Sequence, residues 1–159
     1  MPKTRHFAFK NEYPRISRRL TTEAAVFDSL STFTKGLTVT ALWDTGATNS
    51  AITPAVAKSL NLIPFNRVPV SGVNHRSMAD VVKVSIGLPN HVMVEGVNAM
   101  VCELVEGIDM LIGMNIILLG DFCISNGEGK TLFSFATPPF ENKTDLYEKA
   151  LAVNKRNKI

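Results

Sequence analysis

From Gly36 the run GLTVTALW sets Thr38, Thr40 and Leu42 against Leu37, Val39 and Trp43, a period of two that predicts a half-buried strand ending at Asp44. After the turn DTGAT, the segment NSAITPAVAKSL opens as a short strand. It then offers Thr53 as an N-cap with Pro54 at the first helical position. Pro64 and Pro69 bracket the connection that follows, and VPVSGVNHRSMADVVKVSIGLP reads as two strands around a polar bend at 71–77, hence a β-hairpin. HVMVEGVNAMVCEL predicts one or two strands with a bend or bulge at Gly96 and Asn98. In IDMLIGMNIILLGDFCIS a short apolar strand runs into a brief helical turn, which Gly120 is expected to cap, and then into another strand. SNGEGK is a turn by composition, TLFSFA a last strand stopped by Pro138 and Pro139, and NKTDLYEKALAVNK a helical tail.

Short strands punctuated by turn residues every 8–12 residues or so argue for an all-β barrel or sandwich with accessory helices, not a βαβ fold. A chain of 159 residues with 45% hydrophobic content suits one domain. No internal repeat is evident. The chain divides into a basic arm at 1–22, a β-rich body at 23–140 and a charged tail at 141–159.

Charge sharpens that division. Residues 1–20 carry six basic side chains against Glu12 alone, whereas 21–140 carry six basic and ten acidic ones. Any affinity for nucleic acid would therefore reside in the tails, and none is expected of the core. The N-terminal run is expected to be a solvated arm. It is not followed by the apolar stretch of a secretory leader, so a cytoplasmic protein is expected. The most apolar window, Met110–Leu119, falls far short of the roughly 20 residues a membrane-spanning helix needs, and no membrane association is expected. Cys102 and Cys123 lack metal-ligand spacing and read as buried free thiols; neither a metal nor a cofactor is implied.

The chemistry centres on Asp44. WDTGATNSAIT, preceded by its apolar strand, resembles the active-site turn of the retropepsin-like aspartic proteases. Leu111-Ile112-Gly113, followed by a short helix, resembles that family's second signature, and Val70-Ser71-Gly72-Val73-Asn74 stands where the family keeps a flap over bound peptide. The resemblance spans about residues 36–137. It implies an all-β, closed or partly open barrel with a flap hairpin, one or two short helices and here a helical C-terminal tail.

It also implies an endopeptidase acting on polypeptide. Hydrolysis without a metal or covalent nucleophile needs one carboxylate to deprotonate water while another donates a proton. Only one Asp-Thr-Gly is present, so the second aspartate must be supplied by another copy in a homodimer. The resemblance gives Asp44 the catalytic role, has Thr45 bond across the dyad, and turns the Gly46 amide toward the carboxylate. Ala47, Thr48, Gly72, Val73, Asn74, Ile112 and Gly113 become the expected substrate-binding positions.

Asp109 and Asp121 fall at turns and His75 on the hairpin bend, where ordinary structural or surface roles suffice. Trp43 reads as core. The first alternative is a catalytically silent retropepsin-like dimerisation or peptide-binding module, since a fold does not dictate function. A phosphate-handling reading of DTGAT fits poorly, because it lacks alternating β and α units and a glycine-rich phosphate loop.

Overall fold

The computed structural model describes residues 4–31, 35–71 and 76–157. Ten strands form, β1 Phe7–Glu12, β2 Thr21–Asp28, β3 Leu37–Trp43, β4 Ala51–Ile52, β5 Asn66–Ser71, β6 Arg76–Gly87, β7 Met93–Val101, β8 Met110–Ile112, β9 Asp121–Ser125 and β10 Leu132–Thr137. Among the described residues three α-helices accompany them, α1 Pro54–Ser59, α2 Met114–Ile117 and α3 Leu146–Asn157, with a 3-10 turn at Gly127–Gly129.

Strands β2, β3, β8, β4, β7 and β6 pair in that order. A further pairing of β6 with β2 closes them into a six-stranded barrel. β5 extends the first half of β6 as the predicted hairpin, with Arg67 and Asp80 ion-paired at 3.0 Å across it. The bend residues Gly72, Val73, Asn74 and His75 lie outside the described residues.

The predicted alternation of β3 is present. Val39, Ala41 and Trp43 are buried while Thr38 and Thr40 face outward, and Val82, Val84 and Ile86 repeat the pattern on β6. Each such aliphatic side chain, fully buried, contributes about 1.5–3 kcal/mol of transfer free energy. Thr53 caps α1 through its hydroxyl, as its position before Pro54 predicts. Within HVMVEGVNAMV, Met93–Val101 folds as one strand. Its register against β6 shifts between Val84 and Ile86, so Glu95 and Gly96 bulge opposite Ser85, with Gly96 at φ 67°.

A second sheet, β1-β10-β9, packs on the barrel through an aromatic cluster. Trp43 lies 5.3 Å from the ring of Phe133, 5.0 Å from Phe135 and 5.7 Å from Phe9, measured between ring centroids. Its indole N–H donates to the Thr22 hydroxyl at 2.9 Å. Trp43 is thus core, as its sequence context predicts.

Three expectations are corrected. Within the basic arm, Phe7–Glu12 pairs with β10 over six residues and Phe9 enters the core, so this segment is not a solvated tail. Cys102 and Cys123 are free, but Cys102, just after β7, is half-buried, and Cys123 is exposed on β9, an edge strand with only Phe122 partly covered. Gly120 does not cap α2, a role taken by Leu118; a Cβ on Gly120 would lie 2.1 Å from the Ala136 carbonyl oxygen. No helix among the described residues is long and apolar enough to cross a membrane.

Candidate active site

Asp44 follows the last residue of β3, and its position is set by the strand topology. β8 lies between β3 and β4, parallel to the first and antiparallel to the second. Residues 44–50, joining β3 to β4, must therefore arch over the end of β8. The Asp44 amide donates to the Ile112 carbonyl at 2.9 Å, extending the β3–β8 ladder by one residue and fixing the start of the arch. Inside the turn, the Gly46 amide donates to Asp44 Oδ1 at 2.8 Å, and the Ala47 amide to the Asp44 carbonyl at 3.3 Å.

The return limb is held from below. Met114 and Asn115 donate their amides to the carbonyls of Ala47 and Thr48 at 2.8 and 3.1 Å. A Cβ on Gly113 would stand 2.6 Å from the Asn49 carbonyl oxygen, so only glycine lets the arch settle onto this segment. Ser50, fully buried, accepts the Gly113 amide at 3.1 Å and donates to Asn115 Oδ1 at 2.8 Å. These bonds join 44–50 and 112–115 into one unit, in which each buried polar group has a partner.

Asp44 is half-buried and Thr45, Gly46 and Thr48 are exposed. Asp44 and Thr45 line an open cleft of about 410 Å³ together with Trp43, Phe122, Ile124 and the segment Ile16–Leu20. That segment is fixed by Thr131, which is fully buried. The Thr131 hydroxyl accepts the Ser17 amide at 2.9 Å and donates to Asn126 Oδ1 at 2.6 Å. Ser17 in turn donates its hydroxyl to the Arg19 carbonyl at 2.6 Å.

Of the residues singled out in the sequence, Asp44, Thr45, Gly46, Ala47 and Thr48 are brought together on one loop. Ile112 and Gly113 are buried behind that loop and support it, instead of facing the cleft. Gly72, Val73 and Asn74 lie outside the described residues. Asp109 and Asp121 accept backbone amides, from Thr40 at 2.9 Å and Phe140 at 2.8 Å, which fits their reading as structural. No group of three or more side chains able to hold a metal is found among the described residues.

Sequence reasoning missed Ser50 and Asn115, as well as the cleft wall at 16–20. The clue to the first pair was a lone Ser before Ala51-Ile52 and a lone Asn within the apolar run MNIILL. A polar side chain in a buried run needs a partner, and here each is the other's.

Comparison with known proteins completes the description of the site. Residues 31–116 match the family model of aspartyl proteases. A retropepsin-like aspartic protease from Rickettsia conorii shares the fold with a TM-score of 0.55 at 17% identity, covering 86% of this chain and 98% of that one. The EIAV protease, solved with an inhibitor, gives a TM-score of 0.49 at 19% identity over 67% of this chain and 90% of its own. The Simian Foamy Virus (mac) protease gives 0.46 at 17% over 62% and 92%. The curated proteins include no match.

Proposed function

The chain belongs to the aspartyl protease family and has a retropepsin-like fold, and from that premise we propose that it is an aspartic endopeptidase whose dyad is formed by Asp44 of two copies in a homodimer. The observation that carries this reading is the Asp44 loop itself. Its carboxylate borders an open cleft, one oxygen accepts the Gly46 amide, and the loop is clamped by buried hydrogen bonds. Thr45 is exposed on the same loop, where its hydroxyl can bond across a twofold axis.

In the proposed reaction, two aspartates within a few ångströms share one proton, because both cannot be ionised at that separation. The ionised carboxylate takes a proton from water while the protonated one donates to the carbonyl oxygen of the scissile peptide. Water oxygen bonds to the carbonyl carbon, giving a tetrahedral diol. Proton transfer to the amide nitrogen then releases the amine, and the dyad returns to its starting charge. The substrate binds extended, by strand-like main-chain hydrogen bonds along the cleft beside Asp44. Ala47 and Thr48 border the bound chain.

Incubation with an unfolded protein mixture from about pH 4 to 7 tests this by mass spectrometry. New peptides are expected from the wild type and none from Asp44→Asn, which is nearly isosteric. Equal cleavage by both proteins refutes the assignment, and a silent wild-type dimer replaces it with the peptide-binding reading.

A further inference from the structure

We infer that the loop at 14–20 presents Arg18 and Arg19 as a specificity site for acidic side chains, so that the polypeptides cut beside Asp44 carry aspartate or glutamate close to an apolar residue. The inference rests on the reading of Asp44 as half of a shared dyad and names the class of substrate the cleft takes.

The loop is tied down along its length. Tyr13 closes its ends. Its phenol accepts the Thr21 amide at 2.8 Å and donates to the Thr21 carbonyl at 3.0 Å, where the Asn11 side chain adds a second donor at 3.1 Å. Thr131 grips the middle through three groups. Its carbonyl accepts the Tyr13 amide at 2.8 Å, its amide donates to the Arg15 carbonyl at 3.4 Å, and its hydroxyl accepts the Ser17 amide at 2.9 Å. The exit is fixed by the Trp43 amide, which donates to the Leu20 carbonyl at 2.9 Å, one residue before Asp44. Leu20 is buried and Ser17 half-buried, yet Ile16, Arg18 and Arg19 are exposed. A charged terminal segment with no task is normally left loose in solvent, whereas this one is held rigid with its charges turned outward.

Those charges have no counterpart. The one ion pair among the described residues is Arg67–Asp80, so neither Arg18 nor Arg19 meets a carboxylate, although 21–140 carries ten acidic side chains. Both arginines border the cleft that holds Asp44. A dyad sharing one proton carries a single negative charge. Two arginines from each copy of a homodimer outweigh it, so the rim of the cleft is cationic and attracts anions. The planar guanidinium fork suits a carboxylate, which it binds through two parallel hydrogen bonds.

The rest of the wall selects against a purely polar ligand. Trp43, Phe122, Ile16 and Ile124 line the same cleft, with Ile16 51% and Ile124 44% exposed. Apolar side chains of a peptide cover such a surface, and a phosphate backbone does not. At about 3.3 Å per residue of extended chain, a cleft of about 410 Å³ spans roughly two residues. The acidic side chain therefore lies within roughly two residues of the scissile bond. Twofold symmetry repeats the loop, and with it the preference, on the other side of that bond.

Short fluorescent peptides test the inference on the full chain, with phenylalanines at the centre flanked on both sides by glutamate in one peptide and by glutamine in the other. At about pH 6 the glutamates are ionised. The glutamate peptide is expected to have a kcat/KM about 10-fold higher, with the gain in KM, because an ion pair remote from the reacting bond is made equally before and during the reaction. Salt at about 0.5 M should remove most of that gain by screening. This readout uses the wild type and stands even where a variant fails to fold. Arg18→Glu combined with Arg19→Glu should reverse the preference toward a lysine-flanked peptide. Arg18→Lys combined with Arg19→Lys should keep the preference in weaker form.

Fluorescence anisotropy of the same peptides on Asp44→Asn reads binding without cleavage. Arginine-dependent preference for the glutamate peptide in binding, with no cleavage by the wild type, overturns the catalytic reading and leaves the inference standing. Cleavage indifferent to the flanking charge, or a preference that survives the double glutamate variant, overturns the inference and leaves the catalytic role of Asp44 intact. Failure to bind or cut the glutamate peptide overturns it as well, and arginine-dependent binding of a single-stranded oligonucleotide in its place would assign the loop to nucleic acid.

Discussion

In the barrel, each of the six strands has partners on both sides, whereas among the described residues the sheet β1-β10-β9 is open at both its edge strands, β1 and β9. The barrel also holds most of the fully buried aliphatic residues, such as Val26, Ile52, Val82, Val84, Ile86, Met110 and Ile112. The small sheet contributes aromatic rings on its inner side and leaves Ile124 exposed. The difference separates two tasks. A closed structure fixes the Asp44 loop to its foundation, and an open one places exposed apolar side chains beside the cleft that Asp44 lines.

Trp43 joins the two regions, so Trp43→Ala is expected to do the greatest damage. Losing its contacts with Phe9, Phe133 and Phe135 should cost about 3–5 kcal/mol, read as a drop in the urea midpoint, with the small sheet exchanging amide protons first. Equal loss of protection in both sheets would show that they do not behave as separate units. Gly113→Ala drives a methyl group into the Asn49 carbonyl. It should cost about 1–3 kcal/mol by overpacking and cut turnover more than this loss of stability explains.

Ser50→Ala removes the acceptor of a buried amide and the partner of Asn115. About 1–3 kcal/mol is expected, with kcat falling while KM holds, and Ser50→Thr should restore most of the rate. A fall in stability alone would confine Ser50 to a structural role. The exposed pair Arg67–Asp80 spans the hairpin β5–β6 on its outer face. With both side chains substantially exposed, at 65% and 42%, Arg67→Ala should shift stability by less than about 1 kcal/mol.

What could be read from the sequence was local. The β3 alternation, the Asp44 turn, the Thr53–Pro54 helix start and the hairpin are each written within a dozen residues, and each appears where that pattern places it. What escaped depends on contacts between distant segments. Ser50 meets Asn115 across 65 positions, and Ser17 meets Thr131 across 114. Phe7–Glu12 looked like part of a charged arm because only its pairing with β10 makes a strand of FAFKNE. The exposure of Cys123 follows from β9 lying at a sheet edge, which no local pattern announces. The close approach that demands glycine at position 120 is likewise invisible without Ala136.

The central claim is that two copies supply one Asp44 each, and a mixing experiment tests it most directly. Wild-type chains are unfolded and refolded with a ninefold excess of Asp44→Asn, and cleavage per wild-type chain is measured. Random pairing leaves only about a tenth of the wild-type chains with a wild-type partner, so activity per chain should fall to about a tenth. Activity that stays proportional to the wild-type chains present would mean that each chain acts alone, and would contradict the shared dyad.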